Sequence, residues 1–343
     1  MIKGTCQNIY KHSTPFLSVF LILAVLLLAL TGCTPTQGEN TKLKIVALPY
    51  VSFGIFYIAQ EEGYFAEQDL EVEFVKFPNV TQAIPLLAQG ELDVAAGPVS
   101  PGLINAIANS AYLKIVAGKE YVGPEGITEK LMVNRQLFES GDLDELMELK
   151  GKKIAIPAVG VVQHYALLLM LNQAGLSFKD VELVKLAPQD AIAALGNQAV
   201  AAAVLGQTQA TQAVSMGYAS SLLPSEKVLP GFQQGFVFFG PTMLKDKPEI
   251  GKKFLIAYLK GCAGHLEGKT DRNVEILSKY TGLDRDILLK SYWHPVLPDG
   301  RIVTDDILSF QKWLFEIDLI EKQLSSDEIV DDNILKSALK AME

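Results

Sequence analysis

Short apolar runs alternate with helix-length segments along this chain, and the same order starts again near residue 152. Residues 44–48, 70–77, 92–96 and 113–117 have the length and alternation of strands. Between them lie helix signals. Residues 55–62 stop at Gly63, and 81–89 carry Pro85 in the first turn with Gly90 past the end. Ser100-Pro101 sets a capping hydroxyl before a first-turn proline. The second series has strands at 152–156, 181–186 and 200–205, with helices at 161–173 and, capped by Asp190, at 191–195. Strands separated by helices predict an α/β fold whose sheets are covered on both faces.

The restart reads as an internal repeat. Lys44-Ile45 matches Lys153-Ile154, and the helix-turn-strand segment from Leu87 to Ala95 matches that from Leu195 to Ala203, roughly 108 residues later. Two similar sheets in one chain imply two lobes. From about Pro241 the pattern is helical, over 247–260, 272–280, 284–292, 305–317 and 327–339, with Thr304, Ser326 and Asp284 as N-caps. These helices are expected to pack back on the first lobe. The first lobe then takes residues 43–125 and 235–343, and the second takes 126–234. The chain crosses between them near 123–128 and 229–235, both holding Gly and Pro as a hinge could.

Ahead of this body stands a leader. Lys3 and Lys11 precede the apolar run 16–30, too short for the ~20 residues of a bilayer span but suited to a signal-peptide core. Leu30-Thr31-Gly32-Cys33 follows at once and resembles a bacterial lipobox. That resemblance implies cleavage after residue 32 and a lipid on Cys33. Residues 33–42 are polar and read as a tether. Of the other cysteines, Cys6 lies in the leader and Cys262 sits between Gly261 and Ala263, as in a packed helix. No disulfide framework or structural zinc site follows from them.

Composition excludes several classes. Apolar residues make up 49% of 343 and charged residues 20%, so the chain is neither disordered nor low in complexity. A net charge of −9 without a basic run argues against nucleic acid as a partner. Catalytic signatures are missing: there is no HExxH, no GxSxG elbow, no GxxxxGK[ST] loop and no GxGxxG after a strand. His164 opens an apolar helix and reads either as a partly buried imidazole or as a ligand contact. No nucleophile or paired carboxylate accompanies it, so the chain reads as a binder and not an enzyme, without cofactor or metal.

Four segments, in order, carry a family resemblance: Phe56-Tyr57-Ile58-Ala59-Gln60-Glu61-Glu62-Gly63-Tyr64-Phe65, the stretch from Leu87 to Ala95, the stretch from Leu149 to Ile156, and Ala174-Gly175-Leu176 with Asp180-Val181. They resemble the periplasmic binding proteins for aliphatic sulfonates, nitrate, taurine and the thiamine pyrimidine precursor. The resemblance implies a two-lobed periplasmic-binding-protein type II fold, each lobe a mixed sheet flanked by helices, with a hinge of two crossings. It implies a lipid-anchored, extracytoplasmic, monomeric subunit that hands a small solute to an ABC permease and its ATPase. The alternatives are a sensor without a permease and a pyrimidine-synthase-like enzyme. The sequence departs from the family where Ala201, Gly206 and Gln207 replace its aspartate, tryptophan and glutamate, which implies a different ligand.

In open α/β sheets ligands sit beyond the carboxyl ends of strands, here 49–54, 97–100, 118–121, 160–164 and 206–208. Helix N-termini there offer free amides. The candidate ligand contacts are Tyr50, Ser52, Phe53, Ser100, Tyr121, Gly160, Val161, Gln163, His164 and Gln207. With no arginine among these segments, the expected solute is neutral or weakly anionic, with an aromatic or apolar part.

Overall fold

The structure, a computed structural model, describes residues 41–110, 112–123, 129–224 and 227–343. The leader 1–32, Cys33 and nearly all of the tether lie outside the described residues, as do 124–128 of the first expected crossing. Residues 40–343 form one compact unit. Among the described residues, no helix is long and apolar enough to cross a membrane.

Two five-stranded sheets organise the unit, in the orders β2-β1-β3-β10-β4 and β7-β6-β8-β5-β9. In the first, β1 (Thr41–Val46) lies parallel to β2 (Leu70–Val75) and β3 (Val94–Gly97), while β10 (Gln233–Phe239) runs antiparallel to β3 and β4 (Lys114–Tyr121). In the second, β6 (Lys153–Ile156) lies parallel to β7 (Glu182–Lys185) and β8 (Ala202–Gly206), and β5 (Glu129–Asn134) runs antiparallel to β8 and β9 (Ala219–Pro224). The repeat is therefore real in three dimensions: β1 and β6 hold the same place in their sheets, as do β3 and β8. Sequence reading omits β5, β9 and β10. The fourth strand of each sheet, β5 or β10, follows in sequence a strand of the other sheet. No short-range repeat can announce such an exchange. Gln233 already pairs with Tyr121, two residues before the expected return at 235.

Strand alternation assigns each side chain to a layer. In β10, Phe236 and Phe238 enter one core while Val237 and Phe239 enter another. In β6, Ile154 and Ile156 face the same core as Phe236, and Ala155 faces a third. One layer of apolar side chains thus runs unbroken between the two sheets, and each sheet has its own outer core. Over the first sheet's outer face lie α1 (Gly54–Glu61), α8 (Pro248–Leu266), α9 (Asp271–Thr281) and α13 (Asn333–Met342). Over its inner face lie α2 (Ile84–Gln89) and α3 (Pro101–Ala108). The second sheet has α4 (Arg135–Ser140) and α5 (Val162–Gln173) among its helices, with α6 (Pro188–Gly196) and α7 (Gln207–Ser215) on the outer side. Residue Asp190 sits in the first turn of α6 behind Pro188, so the expected cap position moves to Ala187.

The helical third differs from expectation at several points. Helix α10 (Arg285–Lys290) is shorter than 284–292, and Asp284 precedes it without a side-chain cap. Thr304 is the first residue of α11 (Thr304–Glu316), not its cap, and Ser325 takes the place expected of Ser326 before α12 (Ser326–Ile329). The helix expected over 327–339 is broken because Val330 is extended and bridges to Ile115, whose carbonyl accepts from the Asp331 amide at 3.0 Å. Helix α11 does not pack on the first sheet alone. Its Phe310 and Trp313 meet Tyr165 of α5 at 5.4 and 5.1 Å between ring centroids.

Candidate functional site

A cavity of about 230 Å3 opens at the carboxyl ends of the first sheet. Its floor and walls come from the end of β1 (Leu48, Tyr50), the short turn of helix at Val51–Phe53, the segment after β2 (Asn79 to Thr81), the end of β3 (Gly97 to Ser100) and β4 (Lys119, Glu120). Local chemistry fixes each wall. Tyr57 donates to the Leu48 carbonyl at 2.6 Å and so holds the end of β1. The Gln82 amide donates to Asn79 Oδ1 at 3.1 Å, which starts the turn carrying Thr81. The Leu103 amide donates to Ser100 Oγ at 3.3 Å, capping α3 and leaving the hydroxyl hydrogen available to a ligand. At Gly97 a Cβ would sit 3.3 Å from both methyls of Val80, so the backbone itself forms the wall.

Four of the candidate residues gather here: Tyr50, Ser52, Phe53 and Ser100. Tyr50 is 54% exposed at the rim, whereas Phe53 is buried and packs on Phe56 at 6.2 Å. Tyr121 stands at the end of β4, where its amide donates to the Pro295 carbonyl, and does not line the cavity. The second-sheet candidates stand apart from it. Gly160 (φ +78°) abuts the start of α3: a Cβ there would lie 3.0 Å from Pro101 and 2.5 Å from Leu319. Val161 precedes α5 without a side-chain cap. Gln163 donates to Glu129 Oε1 at 3.0 Å. Gln207 begins α7 with its Oε1 buried and without a hydrogen bond.

His164 belongs to the core. It stacks on Phe178 at 4.4 Å and lies edge-to-face with Trp313 at 5.1 Å between ring centroids, and its Nδ1 accepts from the Gly160 amide at 3.2 Å. Burial lowers its pKa to about 4, so the ring is neutral at pH 7. The ligand-contact alternative for His164 therefore gives way to the packing one.

The candidate contacts leave out Asn79, Thr81 and the pair Lys119–Glu120, although the pair lies within the strand end 118–121. The first two were within reach, since the strand-end rule applied to β2 points to the segment after residue 77. Lys119 is 1% exposed, with Nζ 3.0 Å from Glu120 Oε2 and 4.9 Å from the centre of the Phe53 ring. Burial by itself would raise the Glu120 carboxyl, but Lys119, with His294 and His265 behind it, holds it below the usual carboxylate range. Burial pushes the Cys262 thiol up to about 12, as suits a packed and unreactive position. Among the described residues no cluster of His, Cys, Asp and Glu has the makings of a metal site.

Comparison with known proteins adds a lineage. Residues 51–267 match the family described as NMT1/THI5 like. A formylaminopyrimidine-binding protein from Halalkalibacterium halodurans is 23% identical over 342 residues, covering 91% of this chain and 97% of the relative. In three dimensions the chain is similar to a periplasmic sulfonate-binding protein of a putative sulfonate ABC transporter from Methylobacillus flagellatus, with a TM-score of 0.72 and 18% identity over 89% of this chain and 95% of that one. The desulfurization enzyme DSZB has a TM-score of 0.65 at 13% identity, over 88% of this chain and all of the other. The fold is that of the two-lobed periplasmic binding proteins.

Proposed function

The chain belongs to the NMT1/THI5-like family, and from that premise we propose that it is the lipid-anchored, extracytoplasmic solute-binding subunit of an ABC importer. One observation carries the reading: a cavity at the carboxyl ends of β1 to β4 that mixes aromatic rings, hydroxyls and a buried ion pair, the composition of a small-molecule site. Its solute is a small organic molecule with a flat or apolar part, packed on Phe53 and Tyr50 and held by Ser52, Ser100 and Asn79. The pyrimidine named for the Halalkalibacterium relative belongs to that class. The described residues up to Gly123 and from Gln233 onward act as one lobe and those between as the other, and closure of one on the other presents the loaded form to a permease.

Binding is favoured over catalysis. His164 is packed between rings away from the cavity, and the enzyme that shares the fold does so at an identity too low to carry a reaction across. A thermal-shift screen against pyrimidines, flavin precursors, aromatic acids, sulfonates, taurine and nitrate tests the reading. A true ligand stabilises the protein by about 2.7 kcal/mol at 100 times its dissociation constant. Tyr50→Ala and Ser100→Ala then weaken binding of the hit about ten-fold each, or ~1.4 kcal/mol. A well-folded protein that no compound stabilises would count against the solute classes named.

The anchor is tested separately. Cys33→Ser blocks lipid attachment, so the protein is expected to leave the membrane fraction and lose incorporation of labelled palmitate. Unchanged fractionation and labelling would refute attachment at Cys33.

A further inference from the structure

Neighbouring residues of a strand point to opposite faces, yet Lys119 and Glu120 both line the cavity. The pairing of β10 with β4 explains this. From Gln233 to Gly235 the partner moves only from Tyr121 to Glu120, and from Gly235 to Phe236 it moves from Glu120 to Gly118. Lys119 is thereby left as an extra residue without a partner on β10, and such a bulge re-aims its side chain. The glycine at 235 completes the device. A Cβ there would meet Glu120 Cγ at 2.5 Å and Oε1 at 2.9 Å, so the carboxylate lies across a bare stretch of β10.

This arrangement is expensive for the fold alone. Two charges are taken out of water, and their attraction does not normally repay the desolvation. Two apolar side chains would fill the same place at lower cost. The pair, however, stands on a cavity wall where it supplies the only formal charges among the described lining residues. With Glu120 held ionised beside the Lys119 ammonium, that wall carries a cation and an anion side by side. An anion drawn to Lys119 meets the Glu120 carboxylate 3.0 Å away. A solute with an N–H beside a hydrogen-bond acceptor satisfies both.

We propose that the Lys119–Glu120 pair is the specificity determinant of the cavity: it selects an uncharged or zwitterionic solute that donates an N–H to Glu120 and accepts from Lys119, and it rejects simple oxyanions. This assignment rests on the solute-binding reading above and narrows it.

The test uses two shape-matched pairs of probes, benzamide against benzoate and benzenesulfonamide against benzenesulfonate, titrated into the full chain in detergent by ligand-observed NMR. The amide and the sulfonamide bind at least about ten-fold more tightly than their anions. Glu120→Gln, which leaves Lys119 its charge, shifts the order toward the anions. Lys119→Met with Glu120→Gln removes both charges together, avoids stranding either one, and abolishes the preference while ring binding persists. Wild-type protein that binds an anion as tightly as its neutral partner, or a double variant that keeps the preference, overturns the selection and leaves solute binding standing. Failure of all four probes to bind at millimolar concentration overturns this assignment and counts against the flat-ring solute class on which it rests.

Discussion

Trp313→Ala lowers the free energy of unfolding by about 3 kcal/mol, near the lower end of the range for truncating a buried tryptophan. The indole is 3% exposed and packs on His164, Tyr165 and Phe310 at 5.1, 5.1 and 5.3 Å. It stands where α11 passes from the first sheet to α5 of the second. Its loss therefore opens a void in the layer shared by both sheets, not in one outer core. The estimate stays low because Nε1 is buried without a hydrogen bond, so truncation also relieves a desolvated donor. Urea unfolding followed by a probe in each sheet checks this. The midpoint falls for both probes, and their transitions separate as the common layer weakens. A loss under about 1 kcal/mol with coincident transitions would show that α11 does not join the two halves.

The second large effect depends on pH. The folded-state pKa of His164 is lowered by burial from 6.5 to about 4. The unfolded chain therefore binds a proton to this ring at a pH where the folded chain does not. The stability it contributes is fully present above pH 6.5, is lost as pH falls toward 4, and changes no further below that. The full loss is about 3 kcal/mol at ~1.4 kcal/mol per pKa unit. His265 and His294 are lowered in the same direction, again by burial first, whereas burial raises Asp93 and Asp306 and gives those groups the opposite slope. The comparison that isolates His164 is with His164→Gln, which keeps an acceptor for the Gly160 amide and does not titrate. Unfolding free energies of the two proteins measured from pH 7 to pH 4 converge as pH falls, because only the wild type loses the His164 contribution. Parallel curves would show that the imidazole is protonated equally well in both states.

Legibility in the sequence varied with how local the cause was. Helix starts at Ser100-Pro101, stops such as Gly90, and the buried strands around Ile45 and Ile154 depend on neighbours in sequence, and they are found where expected. Strand β10 was not legible, because its place is set by pairing with β3 and β4, more than a hundred residues earlier. One rule about strand ends located four of the candidate contacts in the cavity, Tyr50, Ser52, Phe53 and Ser100. Asn79 and Thr81 obey the same rule at β2. For Lys119 the rule reached the segment 118–121 but not the direction of the side chain. Alternation along β4 gives it and Glu120 opposite faces, and only the slipped register against Gln233–Phe236 brings both to one wall. His164 was ambiguous for a different reason: an imidazole on an apolar helix face is compatible with a ligand contact or with a core, and Phe178 and Trp313 decide for the core.

A crystal structure of the protein with a solute taken from the binding screen is the most direct measurement. The solute should occupy the cavity beyond the ends of β1 and β3, with its ring on Phe53 or Tyr50 and its polar edge toward Ser100 and the Lys119–Glu120 pair. A saturating ligand found instead on an outer face of either sheet, with that cavity empty, would contradict the account.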